Sequence, residues 1–491
     1  MNVPDTAYPR RWAALAILLA ASFMNMVDVS IVNVALPRLQ QSLAATSSEI
    51  EWVVASYVLA FALALLPFGR LGDRIGRKRI FMAGVAGFTL FSALCGLAPS
   101  VEVLIGARIA QGITGAMMMP QVLAIAQVMF PPQERAHAFS FFGLTAGLGS
   151  VAGPLIGGLL IGGDLFGLDW RPIFLVNIPV GIAVLLAARA ILPATDRHPN
   201  LSNDWGGIAI AAASILLVIF PLIEGHMLGW PRWTFAMIAA GFAGAGLFVF
   251  YERRRAARDL SQLLPASLFS NANFVLGGGM VLVFFSGSMA VFLFLAIFLQ
   301  QGFGFTPLQA GLTTVPFPVG VLVASFLNGR LGSRWHRQRI AAGALVLLAG
   351  MSWLRLVVQG VGEAVDHWQL LPPLFVSGLG MGIAIAPLMQ TALAGVAPRD
   401  AGSGAGALQS LQQLGSAFGI AIAGQVFFSS LAAGFAAGAA PHPAFTGALA
   451  AALLYSIGSF FLVALLVVFL KPPHYFGTTP QETSRPVPVE A

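Results

Sequence analysis

The sequence predicts an all-α polytopic membrane protein of fourteen transmembrane helices, built as two six-helix pseudo-repeat bundles plus an inserted helix pair. Three observations predict it. Of 491 residues, 57% are hydrophobic and only 9% charged, whereas a soluble domain carries about a quarter charged residues. Apolar runs of about 20 residues, long enough to cross the hydrocarbon core of a bilayer, recur along the whole chain. Finally, the chain echoes itself. Gly69-Arg-Leu-Gly-Asp-Arg-Ile-Gly-Arg-Lys-Arg79 returns 260 residues later as Gly329-Arg-Leu-Gly-Ser-Arg-Trp-His-Arg-Gln-Arg339, and Gly149-Ser-Val-Ala-Gly153 returns as Gly415-Ser-Ala-Phe-Gly419. Two echoes in the same order at nearly the same offset indicate two related membrane halves.

The elements follow in order. Span 1 (12–36) begins behind Arg10 and Arg11 like a signal peptide, but its apolar run continues to Leu36 and carries Asp28, which makes it an uncleaved first helix. Span 2 (52–69) leads into the basic loop Gly69–Arg79, where Gly72 and Gly76 permit a tight turn. Asp73 sits there among five basic residues and can pair locally or dock onto a helix N-terminus. Span 3 covers 80–98, and span 4 (103–129) carries Arg108. Span 5 (138–162) holds Gly143, Gly147, Gly149, Gly153, Pro154, Gly157 and Gly158. Glycines four apart allow close helix approach, and Pro154 removes a backbone hydrogen bond. Span 6 covers 172–192. Spans 7 (205–224) and 8 (233–251) lie outside the repeat and form the inserted pair. Spans 9–14 (273–299, 308–329, 340–360, 369–394, 403–428 and 445–470) form the second half. The expected division is therefore 1–195, 196–260 and 261–475. A polar, Pro- and Thr-rich tail at 476–491 is assigned no structure.

Charge placement supports this count. Of 26 Lys and Arg residues, only Arg38, Arg171, Arg232 and Arg355 fall on one side, in loops or near a span end, and Arg108 falls well inside a span. The remaining 21 gather on the other side, which the positive-inside rule makes cytoplasmic, with both termini there. Trp12, Trp52, Trp170, Trp205 and Trp368 fall at span ends, as an interfacial aromatic belt requires. The net charge of +7 is thus a matter of membrane orientation and does not point to nucleic acid. The single cysteine, Cys95, excludes an intrachain disulfide and offers no metal set. There is no phosphate-binding Gly-x-x-x-x-Gly-Lys-Ser/Thr loop and no His-Glu-x-x-His, and the seven histidines are scattered over loops. No cofactor is expected.

Ionisable residues inside a span are functional candidates because burying them in lipid is costly. Asp28 lies ten residues before Arg38, roughly 15 Å below the outer face, and Arg108 lies six after Glu102, roughly 9 Å below it. Opposite charges at similar depth suggest an ion pair, in which protonating Asp28 would release Arg108. Either a permanent structural clamp or a proton-coupling device fits. The frequent use of intramembrane carboxylates in proton relays favours coupling. In the basic loop, positive-inside anchoring explains Arg74 and Arg77 but not Gly69, Gly72, Gly76 or Asp73. The second copy has Ser333 at the acidic position, so an acid-dependent latch should act mainly in the first half.

At these residues the chain resembles the major facilitator superfamily, and within it the fourteen-helix drug:proton antiporters. Gly69–Arg79 matches the signature loop between helices two and three, with Asp73 at its acidic position. Asp28-Val-Ser-Ile-Val-Asn-Val-Ala-Leu-Pro37 resembles the helix-one motif of the fourteen-helix branch, with Ser30 where threonine is usual. Arg108-Ile-Ala-Gln-Gly112 resembles the helix-four motif whose arginine is implicated in proton coupling. Gly149–Gly158 resembles the antiporter motif, and Trp170-Arg-Pro-Ile-Phe-Leu-Val-Asn-Ile-Pro179 the start of helix six. The resemblance covers almost the whole chain.

It implies two bundles rocking around a central cavity, with proton influx driving efflux of a lipophilic compound from a bacterial inner membrane. Asp28 and Arg108 would couple to the proton gradient. Asn25, Asn33, Tyr57, Gln111, Gln300 and Gln390 are the expected cavity residues. Spans 9, 10, 12 and 13 lack the further acids frequent in relatives that pump cations, which fits a neutral or monovalent substrate and a low proton ratio. The expected partners are the bilayer and a small lipophilic substrate, and the sequence leaves a periplasmic adaptor open. A proton-coupled importer of the same fold is the nearest rival. A membrane-embedded enzyme would need a reactive cluster that the spans do not supply.

Overall fold

The computed structural model describes residues 8–163, 167–193, 204–258, 260, 262–331, 335–362, 364–394, 396 and 401–470, apart from some side chains within helices. The polar tail, residues 196–203 ahead of the inserted pair and Ser333 lie outside the described residues.

Among the described residues, fourteen long helices follow the fourteen apolar runs, with a short one at Ala266–Ser270. The first half comprises α1 (Arg11–Ser42), α2 (Ser47–Ile75), α3 (Arg77–Gly96), α4 (Val101–Met129), α5 (Pro132–Gly162) and α6 (Pro172–Ile191). The inserted pair is α7 (Trp205–Leu228) and α8 (Arg232–Ala256). The second half comprises α9 (Ala272–Gly302), α10 (Pro307–Thr314 and Pro316–Leu331), α11 (His336–Gln359), α12 (His367–Leu393), α13 (Ala401–Ala436) and α14 (Pro441–Leu466). Among the described residues, thirteen helices are long and apolar enough to cross a membrane. α5 completes the series, its described apolar stretch being Val151–Gly162.

Most helices run past the apolar runs because local chemistry, not hydropathy, ends them. A capping box, Thr46 with Glu49, starts α2 five residues ahead of its expected first residue. Thr306 with Gln309 does the same for α10, and Asn271 and Asp366 cap α9 and α12. Between α2 and α3 the chain turns on the single residue Gly76 at φ +115°, a conformation closed to residues with a Cβ. α9 ends in a π-helical turn, Phe298–Gly302.

The packing repeats. The first-half pairs α1–α5, α2–α4, α3–α4 and α3–α6 return, eight helices on, as α9–α13, α10–α12, α11–α12 and α11–α14. The sequence echo reappears in these contacts. A methyl on Gly153 would strike Ser30 of α1, and a methyl on Gly419 would strike the Ser286 carbonyl of α9. Small residues thus let equivalent helices touch backbone to backbone, the main source of helix association in lipid.

The halves meet along two seams, α2 against α13 and α5 against α10, with α1 bridging to α9 and α10. Burial separates core from periphery: 78% of the apolar window is buried in α2 and in α9, against 11% in α8. α7 lies over the α2–α13 seam and touches both helices, while α8 packs on α7 from outside.

Candidate functional site

α1, α2, α3, α4 and α6 converge on Asp28, which is fully buried. Its Oδ2 accepts from Arg108 Nη1 at 2.7 Å, and its Oδ1 accepts from Gln111 Nε2 at 2.8 Å and Asn177 Nδ2 at 2.9 Å. The sequence-expected pair is thus formed, between side chains 0% and 1% exposed. Three donors on one carboxylate offset much of the cost of removing its charge from water. Arg108 is held separately as well. Its Nε donates to the Val53 carbonyl at 3.2 Å, Nη1 donates to Gln111 Oε1 at 2.7 Å, and its guanidinium lies 4.0 Å from the Tyr57 ring centroid. The arginine therefore retains a carbonyl, an amide oxygen and an aromatic face when Asp28 loses its charge.

Spacing explains the convergence. Arg108 and Gln111 stand three apart on α4 and share one face. Gly112 and Gly115 bring that helix against α2: a methyl on Gly112 would come within 2.5 Å of the Tyr57 carbonyl, and one on Gly115 within 3.2 Å of Tyr57 Oη. Tyr57 Oη accepts from Asn25 Nδ2 at 2.7 Å. Ser92 Oγ of α3 accepts from Gln111 at 2.8 Å and Asn177 at 3.3 Å, and the Cys95 thiol points at Gln111 Oε1 at 3.6 Å. The sequence alone assigns no role to Ser92 and Asn177. Asn177 lies within the Trp170–Pro179 motif, which was its available signal; Ser92, an uncharged residue in an apolar span, had none.

The expected cavity residues divide. Asn25, Tyr57 and Gln111 join the Asp28 site, and Asn33 is half-buried on α1. Gln300 instead donates to the Val34 carbonyl at 2.9 Å, across the α1–α9 contact. Gln390 bonds His336 at 2.8 Å, within the second half.

In the signature loop, Gly69 faces Pro120, and Gly72 leaves room for the Gln121 side chain, whose Nε2 donates to the Phe68 carbonyl at 2.8 Å. Arg77 donates to the Ala124 carbonyl of α4 at 3.0 Å, and Lys78 to Leu192 beyond α6 at 2.6 Å. The loop thus ties α2, α3, α4 and α6 together at one end. Arg74 is exposed, and the Asp73 side chain lies outside the described residues. The α5 motif presents two faces. Gly149, Gly153 and Gly157 pack on α1, while Pro154 and Gly158 face Gly311 and Leu308 of α10 in the other half. It packs at once within the first half and across the seam.

One expectation needs correction. Only Asp28 and Arg108 stood out as ionisable within spans, yet Glu51, Asp204, Glu252 and Arg339 are also buried. Hydropathy runs stop at a charge, whereas the helices and their neighbours continue past it. Asp204 and Glu252 lie buried at the ends of the inserted pair, where Arg255 meets Asp204 at 3.1 Å.

The Major Facilitator Superfamily profile matches residues 18–420. The chain is 41% identical over 427 residues to a probable actinorhodin transporter of Streptomyces coelicolor, covering 87% of this chain and 74% of that protein. It is 34% identical to the puromycin resistance protein pur8 of Streptomyces alboniger, covering 87% and 83%. It is 33% identical to the multidrug resistance protein Stp of Mycobacterium tuberculosis, covering 84% and 75%. Among solved structures, an auto-inhibited POT family peptide transporter superposes with TM-score 0.67 at 17% identity, covering 94% of this chain and 96% of that one. A bacterial homologue of the lysosomal transporter Spinster superposes with TM-score 0.63 at 16% identity, covering 96% and 98%.

Proposed function

Because the chain belongs to the Major Facilitator Superfamily, a family of membrane transporters and not of enzymes, we propose that it exports a small lipophilic drug or metabolite in exchange for protons. The relatives named for antibiotic export and resistance support efflux. Proton coupling, with Asp28 as the carrier, rests on one observation: a fully buried carboxylate held by Arg108, Gln111 and Asn177.

The chemistry follows from that arrangement. Ionised Asp28 is matched by three donors and locks α1 to α4 and α6. A proton on Asp28 removes the charge that Arg108 answers, and the guanidinium keeps the Val53 carbonyl, Gln111 and the Tyr57 and Phe174 rings, none of them an anion. A buried cation without its anion is disfavoured by about 3–5 kcal/mol. Rearrangement that supplies water or another partner to Arg108 relieves this cost, and in that way the proton drives the cycle. Residues 1–195 and 261–475 are the rocking bodies in this reading, 196–260 is the inserted pair, and both termini face the cytoplasm of a bacterial cell.

A drug-susceptibility panel in an efflux-deficient host tests the function. Expression should raise resistance to some lipophilic antibiotics or dyes, and an uncoupler should restore their accumulation. Accumulation that rises on expression and falls with the uncoupler would instead show an importer.

A further inference from the structure

Where α2, α7 and α13 meet near the Arg38 end of the bundle, a second carboxyl is sealed in the seam between the halves. Glu51 of α2 is 3% exposed, and its Oε2 has no hydrogen-bond partner. It occupies a slot made by Gly424 of α13: a methyl there would come within 2.5 Å of the carboxyl carbon and both oxygens. Around it lies a cavity of about 10 Å³ lined by Ser47, Ser48, Ile223, Gly424, Gln425 and Phe428. That is room for about one water, too little for a hydrated cation or an organic substrate. Gln425 Oε1 is a second buried acceptor without a partner. The charged group facing the site from α7 is Glu224, whose Oε1 accepts from Trp52 Nε1 at 2.8 Å; α13 contributes Gly424, Gln425 and Phe428, and α2 itself Ser47 and Ser48.

An ionised Glu51 would sit here with an unpartnered oxygen and near a second carboxylate, whereas protonation turns that oxygen into a donor in a cavity where Gln425 Oε1 lacks one. We propose that Glu51 is a second, gate-coupled protonation site, whose neutral carboxyl seals the α2–α13 seam at this end and whose ionisation accompanies its opening to water. The inference rests on the proton-exchange reading and adds a gate to it. With Asp28 as the carrier, protonation from the Arg38 side would also favour closure on that side, so that loading and the following conformational step reinforce each other. The sign is fixed by counting protons: the sealed state holds one more than the open state, so acid favours sealing.

The test is a distance measurement by pulsed electron resonance. Spin labels at Ser42, which ends α1, and Ala437, just past α13, report the separation of the halves at this end. In the otherwise native chain, the short-distance population should rise between about pH 8.5 and about pH 5.5, by up to tenfold for each unit by which proton affinity differs between the states. Glu51→Gln, a permanently neutral carboxyl, should hold the short distance at both pH values. Gly424→Ala, which displaces the carboxyl from its slot, should hold the long one. A pH response in Glu51→Gln equal to that of the parent, no pH response in the parent, or an unchanged distance distribution in Gly424→Ala would each overturn the inference. The distances are read without substrate. Failure of proton-driven export in vesicles beside an intact pH response of the gate would therefore remove the antiport reading and leave a pH-sensitive seam, and proton-driven export beside a Glu51→Gln response equal to the parent's would remove the Glu51 reading alone.

Discussion

At the scale of single residues, the Asp28 site is a closed polar network in which each member has a partner it cannot replace from lipid. A hydrogen bond to a charged group contributes about 1.5–3 kcal/mol, and one between neutral groups about 1 kcal/mol. Asn177 donates directly to Asp28, while Ser92 only accepts from the amides around it. Asn177→Ala should therefore lower thermal stability more than Ser92→Ala. The buried thiol of Cys95, at 0% exposure, serves as the reporter. A thiol-reactive dye should label it on unfolding, at a lower temperature in Asn177→Ala than in Ser92→Ala. The reverse order would show that the Asn177 bond adds little. The charged pair was legible in the sequence because two opposite charges in apolar runs have few other means of satisfaction. The amides and hydroxyl that complete the site were less so, since a Ser or Asn in a membrane helix can equally bond its own backbone, as Ser22 does to Leu18.

At the scale of elements, the glycine series on α5 serves two different contacts. Gly153 meets Ser30 within the first half, while Gly311 of α10 meets the Pro154 carbonyl across the seam, where a methyl would come within 2.6 Å. Gly153→Ala should reduce folded yield and stability, because α1 and α5 must stay packed throughout. Gly311→Ala should leave assembly near normal and slow transport, because it obstructs only the state in which that seam is closed. Equal loss of folded yield in both would contradict the distinction. The signature loops are expected to differ too: Asp73→Asn should impair transport and Ser333→Ala should be mild, and comparable loss from both would contradict an asymmetric latch. Helix positions were legible from hydropathy. Their ends were not, because a capping box at Thr46 or a single φ of +115° at Gly76 is a local hydrogen-bonding event that an average over apolar residues does not register. Glu51 was missed for the same reason: it stands one residue ahead of the expected span and four residues inside the helix that forms.

At the scale of the whole molecule, sequence repeat and packing repeat coincide, since equivalent helix pairs and equivalent glycines recur in both halves. The inserted pair breaks the symmetry, and its two helices have different surroundings. α8 packs mainly on α7 and buries little, whereas α7 covers the α2–α13 seam and carries Glu224. Substitutions on the exposed face of α8, at Phe242 or Leu247, should alter expression or assembly and leave substrate range unchanged. Changes of substrate range from these positions would show that α8 lines the path. The central claim, that a proton on Asp28 powers export, is tested most directly in reconstituted vesicles. A compound that the wild-type chain excludes from cells is followed under an imposed pH gradient, in the wild type and in Asp28→Asn recovered in equal amount. Uphill movement should occur in the wild type, collapse with an uncoupler, and be nearly absent in Asp28→Asn; gradient-driven movement at the wild-type rate in Asp28→Asn would contradict the account.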